Sequence, residues 1–214
     1  SSWNQLGSDI DGEAADDRSG ISVSLDSDGD RVAIGAFNND GNGSDAGHAR
    51  IYSWDGSSWN QLGSDIDGEA ADDRFGRSVS LDSDGDRVAI GAHYNDGNGS
   101  DAGHARIYSW DGSSWSQLGS DIDGEAAGDY SGISVSLDFD GDRVAIGSWR
   151  NDGNGSDAGH TRIYSWDGSS WNQLGSDIDG EAAEDRFGRS VSLDSDGDRV
   201  AISGHLNDGN GSNS

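Results

Sequence analysis

The chain of 214 residues contains no cysteine, no proline, no methionine and no lysine, and its 13 basic residues are all arginine. Without cysteine it closes no disulfide, which is neutral on compartment because extracellular repeat proteins often manage without them. No apolar run approaches the roughly 20 residues that a membrane-spanning helix needs, so membrane insertion is not expected. Having neither an initiator methionine nor a signal peptide, the chain reads as a mature, processed or excised piece. Only 31% of it is hydrophobic and 35 residues are glycine, a poor composition for a helix-rich globule. The eight tryptophans must supply much of the core, since a large ring buries roughly 150–250 Å².

What is abundant is acid. Asp and Glu number 41, giving a formal charge of −28 and a pI near 4.1. A field of that sign repels phosphate backbones and anionic lipid, so nucleic acid is not an expected partner. The same charge keeps an extracellular or high-salt protein in solution.

The chain is written four times. SVSLDSDGDRVAIG occupies Ser22 to Gly35 and returns at Ser78, at Ser134 with Phe139 in place of a serine, and at Ser190, where it closes on Ser203. Trp3, Trp59, Trp115 and Trp171 open the same phrase at a spacing of 56. Copies therefore run 1–56, 57–112, 113–168 and 169–214 in one repeat domain, 1–214.

Alternation of Ile, Val and Leu with Ser predicts a strand, Asp-Gly a turn, and Val-Ala-Ile-Gly the returning strand. In the first copy the pattern predicts strand d at Trp3 to Gly7 and an acidic loop from Ser8 to Arg18. Strand a then spans Ile21 to Asp26, strand b Arg31 to Phe37 and strand c His48 to Trp54, with Trp54 and Trp59 near each other across the next hairpin. Ile21, Val23, Leu25, Val32 and Ile34 make one bulky face, whereas Ser22, Ser24, Ala33 and Gly35 make the other nearly flat. Such sheets stack closely, bulky face on small face. The predicted fold is an all-β repeat protein of β-propeller type, with four-stranded antiparallel blades of 56 residues and an incomplete last blade. Because the fourth copy stops before strand c, the strand at Trp3 lacks a partner, and an unpaired edge invites β-addition by another chain.

Phe75-Gly76 followed by Gly91-Ala92, and Phe187-Gly188 in the fourth copy, resemble the FG-GAP repeat of integrin α-chain propellers and of bacterial and algal surface proteins. Copies one and three have Ser19-Gly20 and Ser131-Gly132 instead, and no copy has the closing proline. The resemblance implies a propeller at the cell surface, used for adhesion or recognition. It also implies that the a–b turn is a place for Ca²⁺. Asp26, Asp28 and Asp30 stand there, but Ser24 falls on the opening acid of the family's calcium loop and Arg31 or Val32 on the closing one. Calcium takes 6–8 oxygens, and a plain Asp-rich hairpin turn accounts for these residues as well.

A second candidate calcium loop, Asn38 to Gly47, offers Asp40, Asn42 and Asp45 without the glycine and glutamate that complete an EF-hand. It also carries the sequon at Asn42, repeated at Asn98, Asn154 and Asn210, which predicts N-glycosylation unless Asn-Gly serves only its turn. His48, His104 and His160 recur with their surroundings, as scaffold residues do, so neither an enzyme nor a metal shared among them is expected.

The copies differ at few places. The differences cluster at Arg18, Arg74, Tyr130 and Arg186; at Ser19, Phe75, Ser131 and Phe187; and at Ile21, Arg77, Ile133 and Arg189. They recur at Phe37, His93, Trp149 and His205, then at Asn38, Tyr94, Arg150 and Leu206. The start of strand a and the end of strand b are adjacent in an antiparallel hairpin, so this variation maps to one rim, opposite the DSDGD turns. The alternation makes the deeper period 112. Its rings could stack on sugars or on a neighbouring subunit. The expected function is a non-enzymatic extracellular adhesive or structural module forming homo-oligomers or homopolymers. A lectin-like carbohydrate binder, calcium-assisted or not, is the alternative.

Overall fold

A computed structural model describes residues 2–209 and 211, and all its regular structure is β. In the first blade β1 (Ser22–Leu25), β2 (Arg31–Ala36) and β3 (His48–Trp54) form an antiparallel meander. Two short strands share the fourth position: β4 (Trp59–Gln61) and β5 (Ile66–Asp67) pair with opposite ends of β3. The second blade repeats this with β6 (Ser78–Leu81), β7 (Arg87–Ala92), β8 (His104–Trp110), β9 (Trp115–Gln117) and β10 (Ile122–Asp123). The third comprises β11 (Ser131–Leu137), β12 (Arg143–Ser148), β13 (His160–Trp166), β14 (Trp171–Gln173) and β15 (Ile178–Asp179). Among the described residues the fourth sheet has two strands, β16 (Phe187–Leu193) and β17 (Val200–Gly204).

Two expectations need correction. The acidic loop expected at Ser8 to Arg18 is free of strand, but its equivalents in the later copies each contain one, since Ile66–Asp67 pairs with Ala49 and His48. In the other direction, Trp3 to Gly7 is not a strand, although the same words form β4, β9 and β14. The reason is the partner: each later copy lies along a strand c, and none lies beside the first among the described residues.

Register sorts the side chains by size. Val23 faces Ile34 and Leu25 faces Val32, while Ser22 faces Gly35 and Ser24 faces Ala33. The small face of the first blade, with Ala33, Ala49 and Ile51, packs on Val79, Leu81, Val88 and Ile90 of the second. Ala89, Ala105 and Ile107 meet Val135, Leu137, Val144 and Ile146 in the same way. Each buried Val, Leu or Ile contributes roughly 1.5–3 kcal/mol.

Polar groups set the distance between blades. Ser22 donates to the carbonyl of Gly76 at 2.8 Å, and Ser78 and Ser134 donate to Gly132 and Gly188, both at 2.9 Å. Backbones come so near here that a Cβ at Gly91 would lie 1.9 Å from the Gly132 oxygen. Thus the two glycines of the FG and GA pairs meet across the seam, and Ser131-Gly132 keeps the essential half. At the far end the turns link in series: Ser27 donates to Ser83, Ser83 to Phe139 and Phe139 to Ser195, all through backbone amides. Trp115 and Trp171 donate their indole N–H to Leu62 and Leu118 of the preceding copy, both at 2.8 Å.

Candidate functional site: an arginine–aromatic rim

Four buried aspartates build the rim from below. Asp17, Asp73, Asp129 and Asp185 each accept the side-chain amide of the asparagine 22 residues on, at 3.0–3.2 Å. Each also accepts a backbone amide three residues back, at 3.0 Å. These brackets pin the loop before strand a to the loop after strand b, and burial raises the Asp73 pKa. The recurrence of both residues in every copy was the available signal, but nothing in the sequence paired them.

The residue after each aspartate is left-handed: Arg18, Arg74, Tyr130 and Arg186 have φ of 54–57°. That conformation is costly for large side chains, about 1 kcal/mol or more. The amides of Arg74, Tyr130 and Arg186 donate to Asp45, Asp101 and Asp157, which hold them there. Their side chains then turn toward the ends of β7 and β12.

Most of the variable positions converge. Ring centroids run from His93 to Tyr94 at 4.3 Å, Tyr94 to Tyr130 at 5.2 Å, Tyr130 to Trp149 at 6.0 Å and Trp149 to His205 at 6.2 Å. Arginines interleave them: Arg74 lies 4.7 Å over Tyr94 and 5.7 Å over Phe37, and Arg150 lies 4.9 Å over Trp149 and 5.0 Å over Tyr130. Arg186 and Arg189 also cover Trp149, at 4.9 and 5.4 Å. Arg77 and Arg189, two blades apart, are close enough to interact, and burial followed by that repulsion lowers the Arg77 pKa. His93 is pushed down to about 3 by burial, then by Arg77, Arg74 and Arg189.

Phe75 is the exception. It is fully buried, edge-on to His104 and Tyr108 in the seam between blades. Phe187 opens β16, half-buried, and bridges Gly159. These phenylalanines sort with packing rather than with the rim surface.

The other candidates are occupied by backbone. One carboxylate oxygen of Asp26 accepts the amides of Asp30 and Arg31 at 3.0 and 3.1 Å, and Asp28 is exposed. Asp30 is raised in pKa by its contact with Asp26. Asp40 accepts the amide of Asp45 at 2.8 Å. Neither acidic set gathers three carboxylates among the described residues. Asn42, Asn98 and Asn154 donate to the carbonyls of Gly68, Gly124 and Gly180 at 2.7–2.8 Å, latching each loop to the next copy. Asn210 lies outside the described residues.

The residues that could hold a metal ion are instead Glu13, His48 and Asp65, with two equivalents, Glu69, His104, Asp121 and Glu125, His160, Asp177. Their ligand atoms lie within 4.8 Å of one another. The histidines are buried, and burial lowers their pKa, to about 4 at His104. An arginine of the same strand already serves the acids: Arg106 donates to Glu69 and, at 2.7–2.8 Å, to Asp121. Arg50 and Arg162 stand 3.7 Å from Glu13 and Glu125. A guanidinium there makes the cluster an internal ion network between strand c and the loops.

Comparison with known proteins agrees with this architecture. Residues 64–108 match the FG-GAP repeat model. The chain carries an FG-GAP repeat. The matched stretch runs from the turn before β5 through most of β8, so it contains the Phe75-Gly76 and Gly91-Ala92 contacts. No curated protein sequence matches the chain. Among solved structures, a candidate 6-phosphogluconolactonase from Bacteroides uniformis is similar over 85% of this chain and 46% of its own, with a TM-score of 0.54 and 12% identity. Hydrazine synthase of Kuenenia stuttgartiensis is similar over 91% of this chain and 45% of its own, at a TM-score of 0.52 and 12% identity. The chain thus spans less than half of either, and at that identity the likeness concerns the propeller-like fold alone. Among the described residues no helix is long and apolar enough to cross a membrane.

Proposed function

We propose that this FG-GAP repeat chain is a non-enzymatic structural or adhesive module of the extracellular surface, and that it works by pairing with a second copy of itself. One observation carries the reading. Val23 and Leu25 on the first blade are 64% and 60% exposed, whereas Val79 and Leu81, identical in sequence context, are 8% and 6% exposed. Ile21 adds to the open face.

The fourth blade is not the fitting cover. Where Gly35, Gly91 and Gly147 let the next backbone approach, it carries Ser203, whose hydroxyl accepts the Ser190 amide at 3.0 Å. A Cβ at Gly35 would sit 2.0 Å from the Gly76 oxygen, so Ser203 obstructs the equivalent head-to-tail contact. Two first blades meeting face to face, bulky on bulky, form a closed two-fold pair instead. Light scattering on the 214-residue chain should give a dimer that the Val23→Asp/Leu25→Asp variant converts to monomer. A strict monomer at high concentration would sink the proposal, as would a dimer indifferent to the variant.

A further inference from the structure

We infer that the arginine–aromatic rim binds an acidic saccharide, its rings stacking on sugar faces and its guanidinium groups pairing with carboxylate or sulfate. The inference is independent of pairing between copies, which uses the first blade's open face.

The charge distribution is the first observation. In a chain with 41 acidic residues and 13 arginines, an arginine should readily find a carboxylate. Arg50, Arg106, Arg162 and Arg199 do. The other nine have no carboxylate within the 4.0 Å of an ion pair among the described residues; Arg18 is exposed and Arg31, Arg87 and Arg143 belong to the DSDGD turns, while Arg74, Arg77, Arg150, Arg186 and Arg189 gather, half-buried, at the rim. The nearest acids that influence the rim groups are Asp101, beside Arg74, Arg150 and Tyr130, and Asp157, beside Tyr130. Neither closes a bridge. The buried Nε atoms of Arg150 and Arg186, and the indole nitrogen of Trp149, find no acceptor among the described residues. Planar, forked, weakly hydrated guanidinium groups left in this state suit a carboxylate or sulfate brought from outside.

Packing does not demand these side chains. Where the second and fourth copies have Arg77 and Arg189, the first and third have Ile21 and Ile133; where the third has Trp149 and Arg150, the first has Phe37 and Asn38. Blades stack with either set. What the variable set adds is one continuous ladder of rings and cations spanning three blades, held on left-handed residues at Arg74, Tyr130 and Arg186.

Beside the ladder, Arg74 and Tyr94 share a pocket of about 250 Å³ with Asp72, Asp96, Ser100 and Asp101. Its carboxylates accept hydroxyl hydrogens, its arginine takes an anion and its tyrosine offers a face, which are the three needs of an acidic sugar. A nucleic-acid strand would meet the same rings, but its charge at every nucleotide opposes the net −28 of the chain. A saccharide with widely spaced acids is penalised less.

Calorimetry should be run on the Val23→Asp/Leu25→Asp chain, so that loss of pairing and loss of saccharide binding are read separately. The probes are a hyaluronan oligosaccharide, with one carboxylate per disaccharide, a sparsely sulfated dextran oligomer for sulfate, neutral dextran, and a single-stranded oligonucleotide. Binding of either acidic saccharide is expected, falling at least ten-fold in the Arg77→Ile/Arg150→Asn/Arg189→Ile variant. That variant borrows residues the first and third copies already carry, and its melting curve reports folding. Absence of binding by both acidic saccharides would overturn the proposal. So would neutral dextran or the oligonucleotide binding as tightly, or a folded triple variant that binds unchanged.

Discussion

The words Ser-Val-Ser-Leu stand at Ser22 and again at Ser78, yet Val23 and Leu25 face solvent while Val79 and Leu81 are core. Both tetrapeptides are strands, and both pair with an identical returning strand in the same register. Only the preceding blade differs. Secondary structure is therefore set within a copy, whereas burial is set between copies, as expected of a protein whose repeats contact their neighbours.

Substitutions can break that contrast. Val79→Asp should cost more than about 4 kcal/mol or abolish folding, because it places an unpaired carboxylate in a closed seam. Val23→Asp should shift unfolding of the monomer by less than about 0.5 kcal/mol; denaturant melts of the two variants give the comparison directly. Gly91→Ala comes next, since its Cβ would lie 1.9 Å from the Gly132 oxygen and 2.5 Å from the Ser78 hydroxyl. A loss of about 1–3 kcal/mol is expected from the forced separation of blades.

Acid sharpens the comparison further. The unfolded chain protonates its histidines near 6.5, but His104 in the second blade stays neutral down to about 4 because it is buried. The unfolded state thus binds the extra proton in that window, and stability falls as pH drops from about 6.5 to 4. Asp82, raised to about 6 chiefly by burial, acts in the opposite sense: its contribution is present at low pH and lost as pH rises through 6. Melts across pH 4–7 should flatten their acid-side loss in His104→Gln, and in the same direction in His48→Gln, whose buried ring is likewise lowered in pKa. Asp82→Asn should stabilise at pH 7 and lose that advantage near pH 4. A smaller loss than that of Gly91→Ala is expected for Asn98→Ala, about 1 kcal/mol for a latch at the surface.

Much of this fold is legible in the sequence because its signals are local and repeated four times. The period of 56, the bulky and small faces, the Trp54–Trp59 pairing across the hairpin and the rim position of the variable residues all follow from spacing and alternation. Ile66–Asp67 was not legible, since two residues carry no periodicity and pair only because strand c runs past them. Nor was the failure of Trp3 to Gly7 to form a strand, which depends on a partner rather than on its own residues. Phe75 reads as a rim residue by position, but its ring turns into the seam, while its neighbour Arg74 turns out over Tyr94. A one-residue difference in direction decides between core and surface, and a left-handed backbone at Arg74 sets it. The arginines' lack of carboxylate partners is likewise a matter of placement, invisible in a composition so rich in acid.

A chain without cysteine permits the most direct test, which is thiol labelling of single-cysteine variants Val23→Cys, Val79→Cys and Val135→Cys at concentrations low enough to keep the chain monomeric. Stacked blades require Val23→Cys to react at the rate of a free thiol while the other two stay protected until the chain unfolds. Equal rates at all three positions would mean that successive sheets do not cover one another.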